Sequence, residues 1–349
     1  MNLSYTINNA LSGDIAIDVG SEMIRIFAVG MGLLVKERAY VAYNKQTFEI
    51  IAYGDEAFFM LGKEAKNTIV NAPFENGVIK NFELAQKMIS FFVRNVCKKS
   101  FIKPRVMVSI PSGCTEIEKK AICECIKNSG ARTVYLFEDT LAAAYGAGCD
   151  ISLARGMMVV NIGGGRTGIS SVSGGKSVSV KACDICSQKF SNAIIEYIKK
   201  NYNMVIGYQT AERIKNELGC AYPFETAKTA EIAGCNAATG LPFSVMINSE
   251  EIRDSFSPIL EKLSEFVASA LEDTPSELQS DIVEDGILLT GGGALLFGID
   301  KWLRNQLNIK VFVAEKAQDC VINGLAGQLL EMARGGIQSQ ERKYYTVGI

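Results

Sequence analysis

Three short runs place glycine where a strand must turn, and turns of that kind can hold an anion. The first is Ile15-Ala16-Ile17-Asp18-Val19-Gly20-Ser21. The second is Met158-Val159-Val160-Asn161-Ile162-Gly163-Gly164-Gly165-Arg166, and a third variant follows at Ile287-Leu288-Leu289-Thr290-Gly291-Gly292-Gly293. Each is an apolar run, then a polar residue close to the turn, then glycine. Without a Cβ, glycine lets backbone N–H groups come close to an oxyanion. Two such hairpins facing each other would grip a polyphosphate from both sides, and the third could close over a base or sugar. The pattern suggests a nucleotide clamp between two related domains.

Composition narrows the chemistry further. The chain has 349 residues and no histidine, which excludes a histidine base, a histidine-assisted nucleophile and a histidine metal site. Ten cysteines are scattered, with one CxxC at Cys183 and Cys186 and no second pair at zinc spacing. Reduced, structural thiols in a cytosolic protein are therefore expected. A net charge of −2 gives no global pull toward nucleic acid or membrane. Residues 1–13 lack the pattern of a signal peptide. No apolar run approaches the ~20 residues that span a bilayer. A cytoplasmic protein is expected, with surface contact to a membrane still open.

The turns need a frame to hold them. Alternation predicts strands over 23–29, 33–43, 106–110, 134–137, 157–161, 168–173, 176–180 and 310–314. Helical spacing predicts helices over 55–62, 83–96, 116–129, 140–146, 189–201, 210–218, 258–271 and 321–333. Pro258 would stand in the first turn of its helix, where a missing N–H costs little. The small-residue helix 140–146 could pack closely under a ligand. The tail from Gly335 is polar and is expected to be mobile. Strands interleaved with helices in two similar halves make an α/β fold with a cleft between the halves.

Together these residues resemble the MreB family of bacterial rod-shape proteins, within the actin-like ATPase superfamily. The likeness runs from about Asp14 to about Ala333. It rests on Gly77-Val78-Ile79, Lys103-Pro104-Arg105-Val106, Pro111-Ser112-Gly113 and Thr115-Glu116-Ile117-Glu118-Lys119. Further on come Ile194-Ile195-Glu196-Tyr197-Ile198, Thr210-Ala211-Glu212, Thr239-Gly240-Leu241-Pro242 and Ser249-Glu250-Glu251-Ile252-Arg253, then the third glycine run. The resemblance implies two ribonuclease-H-like domains around an ATP and Mg²⁺ cleft. They would cover 1–150 plus 320–349, and 151–319, with small subdomains at about 41–74 and 189–253. It also implies head-to-tail filaments, alone or with an MreB paralogue. They would lie on the inner face of the cell membrane, work with the membrane proteins of wall elongation, and leave nucleic acid alone.

Residue by residue, the resemblance places Asp18 toward Mg²⁺ through water, with Gly20 and Ser21 toward phosphate. A turn residue capping the hairpin is the plainer reading of Asp18. Asn161, Gly163, Gly164, Gly165, Arg166 and Thr167 match the second phosphate loop, and Gly291, Gly292 and Gly293 the adenosine loop. Glu212 and Lys215, three apart on one helix face, match the helix laid against ribose and base; a solvated surface ion pair is the alternative. Asp139 stands where the catalytic carboxylate that polarises the attacking water is expected.

Departures from the family pattern cluster at the chemistry. Glu22, Met23 and Ile24 replace Ala-Asn-Thr, and a carboxylate near phosphates repels them unless it points away. Asn161 replaces an aspartate and Arg166 a threonine. Asp139 is one methylene shorter than the usual glutamate, with Thr140 in place of proline, and Ser187 and Gln188 replace Gly-Asp. Binding contacts are better kept than catalytic ones, so ATP binding with slow or lost hydrolysis is expected. Lys98-Lys99-Ser100-Phe101-Ile102-Lys103 sets two apolar side chains, Phe101 and Ile102, in a basic frame, as for reversible insertion into a membrane. The alternatives are a regulatory paralogue that co-assembles with an active relative, and a sugar kinase, against which the MreB-like segments speak. A chaperone reading is set aside because no length remains for a peptide-binding domain.

Overall fold

The computed structural model describes residues 13–98 and 102–333. Two five-stranded sheets dominate it, and they are built alike. In the first, the order is Thr133–Glu138, Arg105–Ile110, Ile15–Val19, Met23–Ala28, Gly32–Arg38. In the second it is Lys176–Cys183, Thr167–Ser173, Met157–Ile162, Ile287–Thr290, Val311–Val313. Each sheet pairs its central strand antiparallel to the next strand in sequence and parallel to a later one. The central strands Ile15–Val19 and Met157–Ile162 are almost entirely buried. A strand covered on both faces reads as a near-continuous apolar run, which is why both turn motifs begin that way.

Helices cover the sheets through stripes at helical spacing. Phe82–Val96 buries Leu84, Ala85, Met88, Ile89, Phe92 and Val93, and Asn81 caps it by accepting from the Leu84 N–H at 3.1 Å. Glu116–Asn128 opens with a capping box of Thr115 and Glu118. Capping satisfies N–H groups that have no partner inside the helix. Two three-stranded sheets stand beside the large ones. One joins Ile50–Tyr53, Val41–Asn44 and Thr68–Asn71, and the other joins Met204–Val205, Thr229–Asn236 and Pro242–Asn248.

Several expectations change. The run 33–43 is two strands in different sheets, Gly32–Arg38 and Val41–Asn44, because the chain leaves the large sheet after Arg38. Pro258 is not at a helix start. It lies inside Ser249–Glu272, which begins at a capping box of Asn248 and Glu251. The interior proline costs a backbone hydrogen bond, and burial of Ile252, Phe256, Leu260 and Leu263 on the same face offsets it. The hairpin 229–248 and the helix Ser276–Asp285 had not been anticipated. The tail from Gly335 lies outside the described residues.

The helices Asp139–Gly146 and Cys320–Ala333 cross backbone to backbone. A methyl group on Gly146 would fall 1.9 Å from the Cys320 carbonyl oxygen, and one on Gly324 1.9 Å from that of Ala142. The small-residue helix expected to lie under a ligand packs its small residues against this helix instead. The crossing fixes these two helices against each other, and Asp139 at the start of one and Val321 in the other line the cleft described below.

Candidate functional site

The two large sheets present their turns to one another across a cleft of about 650 Å³. Both turns close with the same bond. Gly20 N–H donates to the Met23 carbonyl at 2.9 Å, and Gly163 N–H to that of Arg166 at 2.8 Å. They touch at their tips: a methyl on Gly165 would lie 2.6 Å from Ser21 Oγ, and one on Gly164 2.3 Å from Glu22 Cγ. Ser21 Oγ also accepts from the Gly77 N–H at 2.9 Å. The third turn rests on the second. Gly291 has φ +84°, and a methyl there would sit 2.4 Å from the Ile162 carbonyl oxygen. Only glycine meets both demands comfortably.

Asp18, Gly20, Ser21, Asp139, Asn161, Gly163, Gly164, Gly165, Arg166, Glu212, Lys215, Gly291, Gly292 and Gly293 all line this cleft. Thr167 does not. It is fully buried, and its hydroxyl donates to the Ile185 carbonyl. Phe101 lies outside the described residues, and Ile102 is half-buried.

Asp18 is buried, and that burial raises its pKa, while Arg25 opposes the shift. It accepts from Ser109 Oγ at 3.0 Å and from Arg25 Nη1 at 3.2 Å. Arg25 continues to Asp319 at 3.0 Å, which also holds Lys36 at 3.0 Å. Sequence reasoning missed this chain. The one available signal was a charged residue between Ile24 and Ile26, since a buried charge needs a partner.

Asp139 sits at the N-terminus of its helix. One oxygen accepts from the Ser112 N–H at 2.8 Å, Ser112 Oγ at 2.6 Å and the Thr140 N–H at 2.8 Å. The other accepts from Asn161 Nδ2 at 3.2 Å. Hydroxyls of Thr140 and Ser170 stand behind Ser112, each link 2.7 Å. Four protein donors thus occupy this one carboxylate. Asn161 uses both ends of its amide, donating to Asp139 and accepting from Thr290 at 3.3 Å. An aspartate at 161 would face Asp139 as a like charge.

Arg166 donates to the Ser112 carbonyl at 2.8 Å and, among the described residues, has no carboxylate within ion-pair distance. Lys215 bonds Glu212 at 2.5 Å and Ser187 Oγ at 2.8 Å, and the pair is mostly buried, not a solvated surface pair. Phe224 stacks on Phe297 with ring centroids 4.3 Å apart, and Lys228 lies 4.1 Å over the Phe224 ring. All three line the cleft. They carried no periodic signal, because they come from irregular segments brought together only by the fold.

The cleft is therefore lined by glycine turns and by a stacked aromatic pair. Among the described residues no cluster of three metal-ligating side chains exists. Each Asp18 oxygen accepts one protein hydrogen bond, which leaves lone pairs for water. This donor set fits a magnesium held through water on a ligand's phosphates, and does not fit one ligated by several protein groups.

The family model for MreB/Mbl protein matches residues 12–335. The chain belongs to the MreB/Mbl family. It is 39% identical to the cell shape-determining protein MreB of Escherichia coli K12 over 95% of this chain and 97% of that one. It is 37% identical to the cell shape-determining protein Mbl of Bacillus subtilis over 91% and 96%. Among solved structures, MreB5 of Spiroplasma citri bound to ADP superposes with a TM-score of 0.88 at 32% identity, covering 93% of this chain and 98% of that one. The MamK double helical filament shares the fold, with a TM-score of 0.77 at 15% identity. The expected actin-like ATPase fold is thus confirmed. Among the described residues no helix is long and apolar enough to cross a membrane.

Proposed function

We propose that the chain is an ATP-binding, actin-like cytoskeletal subunit. Its filaments lie on the inner face of the cell membrane, where they organise wall synthesis and rod shape. The observation that carries this reading is the pair of matching glycine turns meeting tip to tip across a cleft also lined by a stacked aromatic pair. Structures of MreB5 of Spiroplasma citri bound to ADP and to AMPPNP support it. Ser21, Gly164 and Gly165 offer N–H groups to the phosphates, with Arg166 as an added cation, while the N–H groups of Gly20 and Gly163 close the turns. Glu212, Lys215 and Gly291–Gly293 take the ribose and base, beside Phe224 and Phe297. Asp18 would hold magnesium through its waters, and the ion would screen phosphate charge.

Asp139 would orient the attacking water, but four protein donors already occupy its oxygens and compete with that water, so turnover is slow. That saturation, with the neutral Asn161, also favours a second reading: a regulatory paralogue that binds ATP and assembles only with an active relative. Electron microscopy on an anionic lipid layer, with and without Mg-ATP, separates the two. Nucleotide-dependent filaments support the first, and ATP binding without filaments supports the second. Lack of ATP binding sinks both. Phosphate release should be slow, and the double variant Asn161→Asp with Asp139→Glu should raise it roughly tenfold or more if the roles are as assigned. Membrane contact through Phe101 and Ile102 is tested by replacing both with serine, which should abolish vesicle binding.

A further inference from the structure

Glu22 is the residue that the phosphate reading leaves over. It stands at the tip of the first turn, where an added carboxylate opposes phosphate binding. Its carboxylate is directed away from the turn and ties the two sides of the cleft together. One oxygen accepts from Tyr208 Oη at 2.9 Å, from Tyr40 Oη at 3.4 Å and from Gln188 Nε2. The other accepts from Arg38 Nη1 at 2.9 Å. Arg38 and Tyr40 belong to the first half of the chain. Gln188 and Tyr208 lie on the helices Ser187–Tyr202 and Tyr208–Leu218 of the second.

The contacts around this carboxylate also cross the cleft. Gln209 Nε2 donates to the carbonyls of Phe58 at 2.8 Å and Leu61 at 2.9 Å, at the end of the helix Gly54–Met60. The Tyr208 ring meets Phe58 edge-on at 6.5 Å, and the Arg38 guanidinium lies 4.5 Å over the same Phe58 ring. Arg38 reaches Glu212 at 3.9 Å. Burial, with Glu22 next in weight, raises the Tyr208 and Tyr40 hydroxyls, so both are donors at neutral pH. The Glu22 side chain also lies directly against Gly164, where any Cβ would collide with it.

We propose that Glu22 is a positioning residue that clasps the two sides of the cleft together and so gates nucleotide entry and exit. The proposal rests on the reading that the cleft binds a nucleotide. Opening must pull the carboxylate from Tyr208 and Gln188 while it stays with Arg38 and Tyr40. A hydrogen bond to a charged group in a poorly hydrated site shifts such an equilibrium by roughly tenfold or more. Alanine at 22 leaves the Ser21 N–H in place, so its effect should fall on rates of exchange more than on affinity.

The test uses the full chain with Glu22→Ala, and with Tyr208→Phe as a milder variant that keeps the ring. A fluorescent ATP analogue followed by stopped flow gives association and dissociation rates, and small-angle scattering of the nucleotide-free protein reports opening. Glu22→Ala should raise both rates roughly tenfold or more, with a smaller change in Kd, and should enlarge the nucleotide-free particle. Tyr208→Phe should move both readouts the same way by less, and it carries the test alone if Glu22→Ala fails to fold. Rates within about twofold of the parent and superimposable scattering curves overturn the clasp. If the parent does not bind the analogue, the nucleotide reading fails, and scattering still decides the clasp: enlargement in the variant upholds it, an identical curve sinks it.

Discussion

In the first turn Gly20 bonds back to Met23, and in the second Gly163 bonds back to Arg166, with strands ordered alike around both. The side chains on this shared backbone do opposite things. Asp18 is a carboxylate answered by the Arg25 guanidinium, while the matching position, Asn161, is an amide that answers the Asp139 carboxylate. Glu22 fills the place that Gly165 leaves empty, and the two meet across the cleft with Ser21 and Gly164. The difference teaches that hairpin pairing and glycine set the phosphate-facing backbone, which leaves side-chain charge free to diverge. At both turns a carboxylate is answered from within the protein, Asp18 by Arg25 and Asp139 by Asn161.

The comparison can be broken at three points. The largest effect is expected from Arg25→Ala, which leaves Asp18 and Asp319 without their shared partner. Removing one side of a buried pair costs about 3–5 kcal/mol. Burial already raises Asp18, and loss of Arg25 removes an opposing influence. A carboxyl raised in the fold loses stability as pH rises through its folded value, so the deficit in Tm against the parent should narrow toward acid pH. A deficit that widens in acid would show that Asp18 is not its source. Next comes Asn161→Asp, which makes the second turn imitate the first without supplying an arginine. Chemical denaturation in the absence of divalent ions should show a loss of about 1–3 kcal/mol, through repulsion from Asp139 and the lost amide donor. An unchanged midpoint would mean the two residues are not coupled. Arg166→Thr is the mildest. Its guanidinium pairs with a carbonyl, so stability should move by less than about 0.5 kcal/mol. ATP affinity by titration should fall roughly tenfold, the contribution of one charge-assisted contact.

These pairings also divide what the chain discloses locally from what it does not. The two turns were legible because the buried run, the polar residue and the glycine are contiguous, and their doubling announced two related halves. The third turn was legible for the same reason. Glu22 was recognised as out of place, but not its destination: Gln188 and Tyr208 lie 166 and 186 positions away. The partner of Arg25 at Asp319 is 294 positions distant. Nothing periodic marks such pairs, since they depend on how two sheets sit together. Pro258 misled because the local cost of proline is real, and only the buried face of the long helix outweighs it.

The glycine crossing between Asp139–Gly146 and Cys320–Ala333 has a mechanical consequence. Where the backbones touch, compression is resisted by hard contact of main-chain atoms. Beside that contact the Tyr145 ring lies against Gly327 and its hydroxyl donates to Glu331, which holds one helix against turning on the other. The joint is a pinned one, stiff along its load and fixed about its axis. Asp139 stands at the start of one helix and Asp319 one residue before the other. A pinned crossing makes the carboxylate beside Asn161 and the carboxylate beside Arg25 move as one body or not at all.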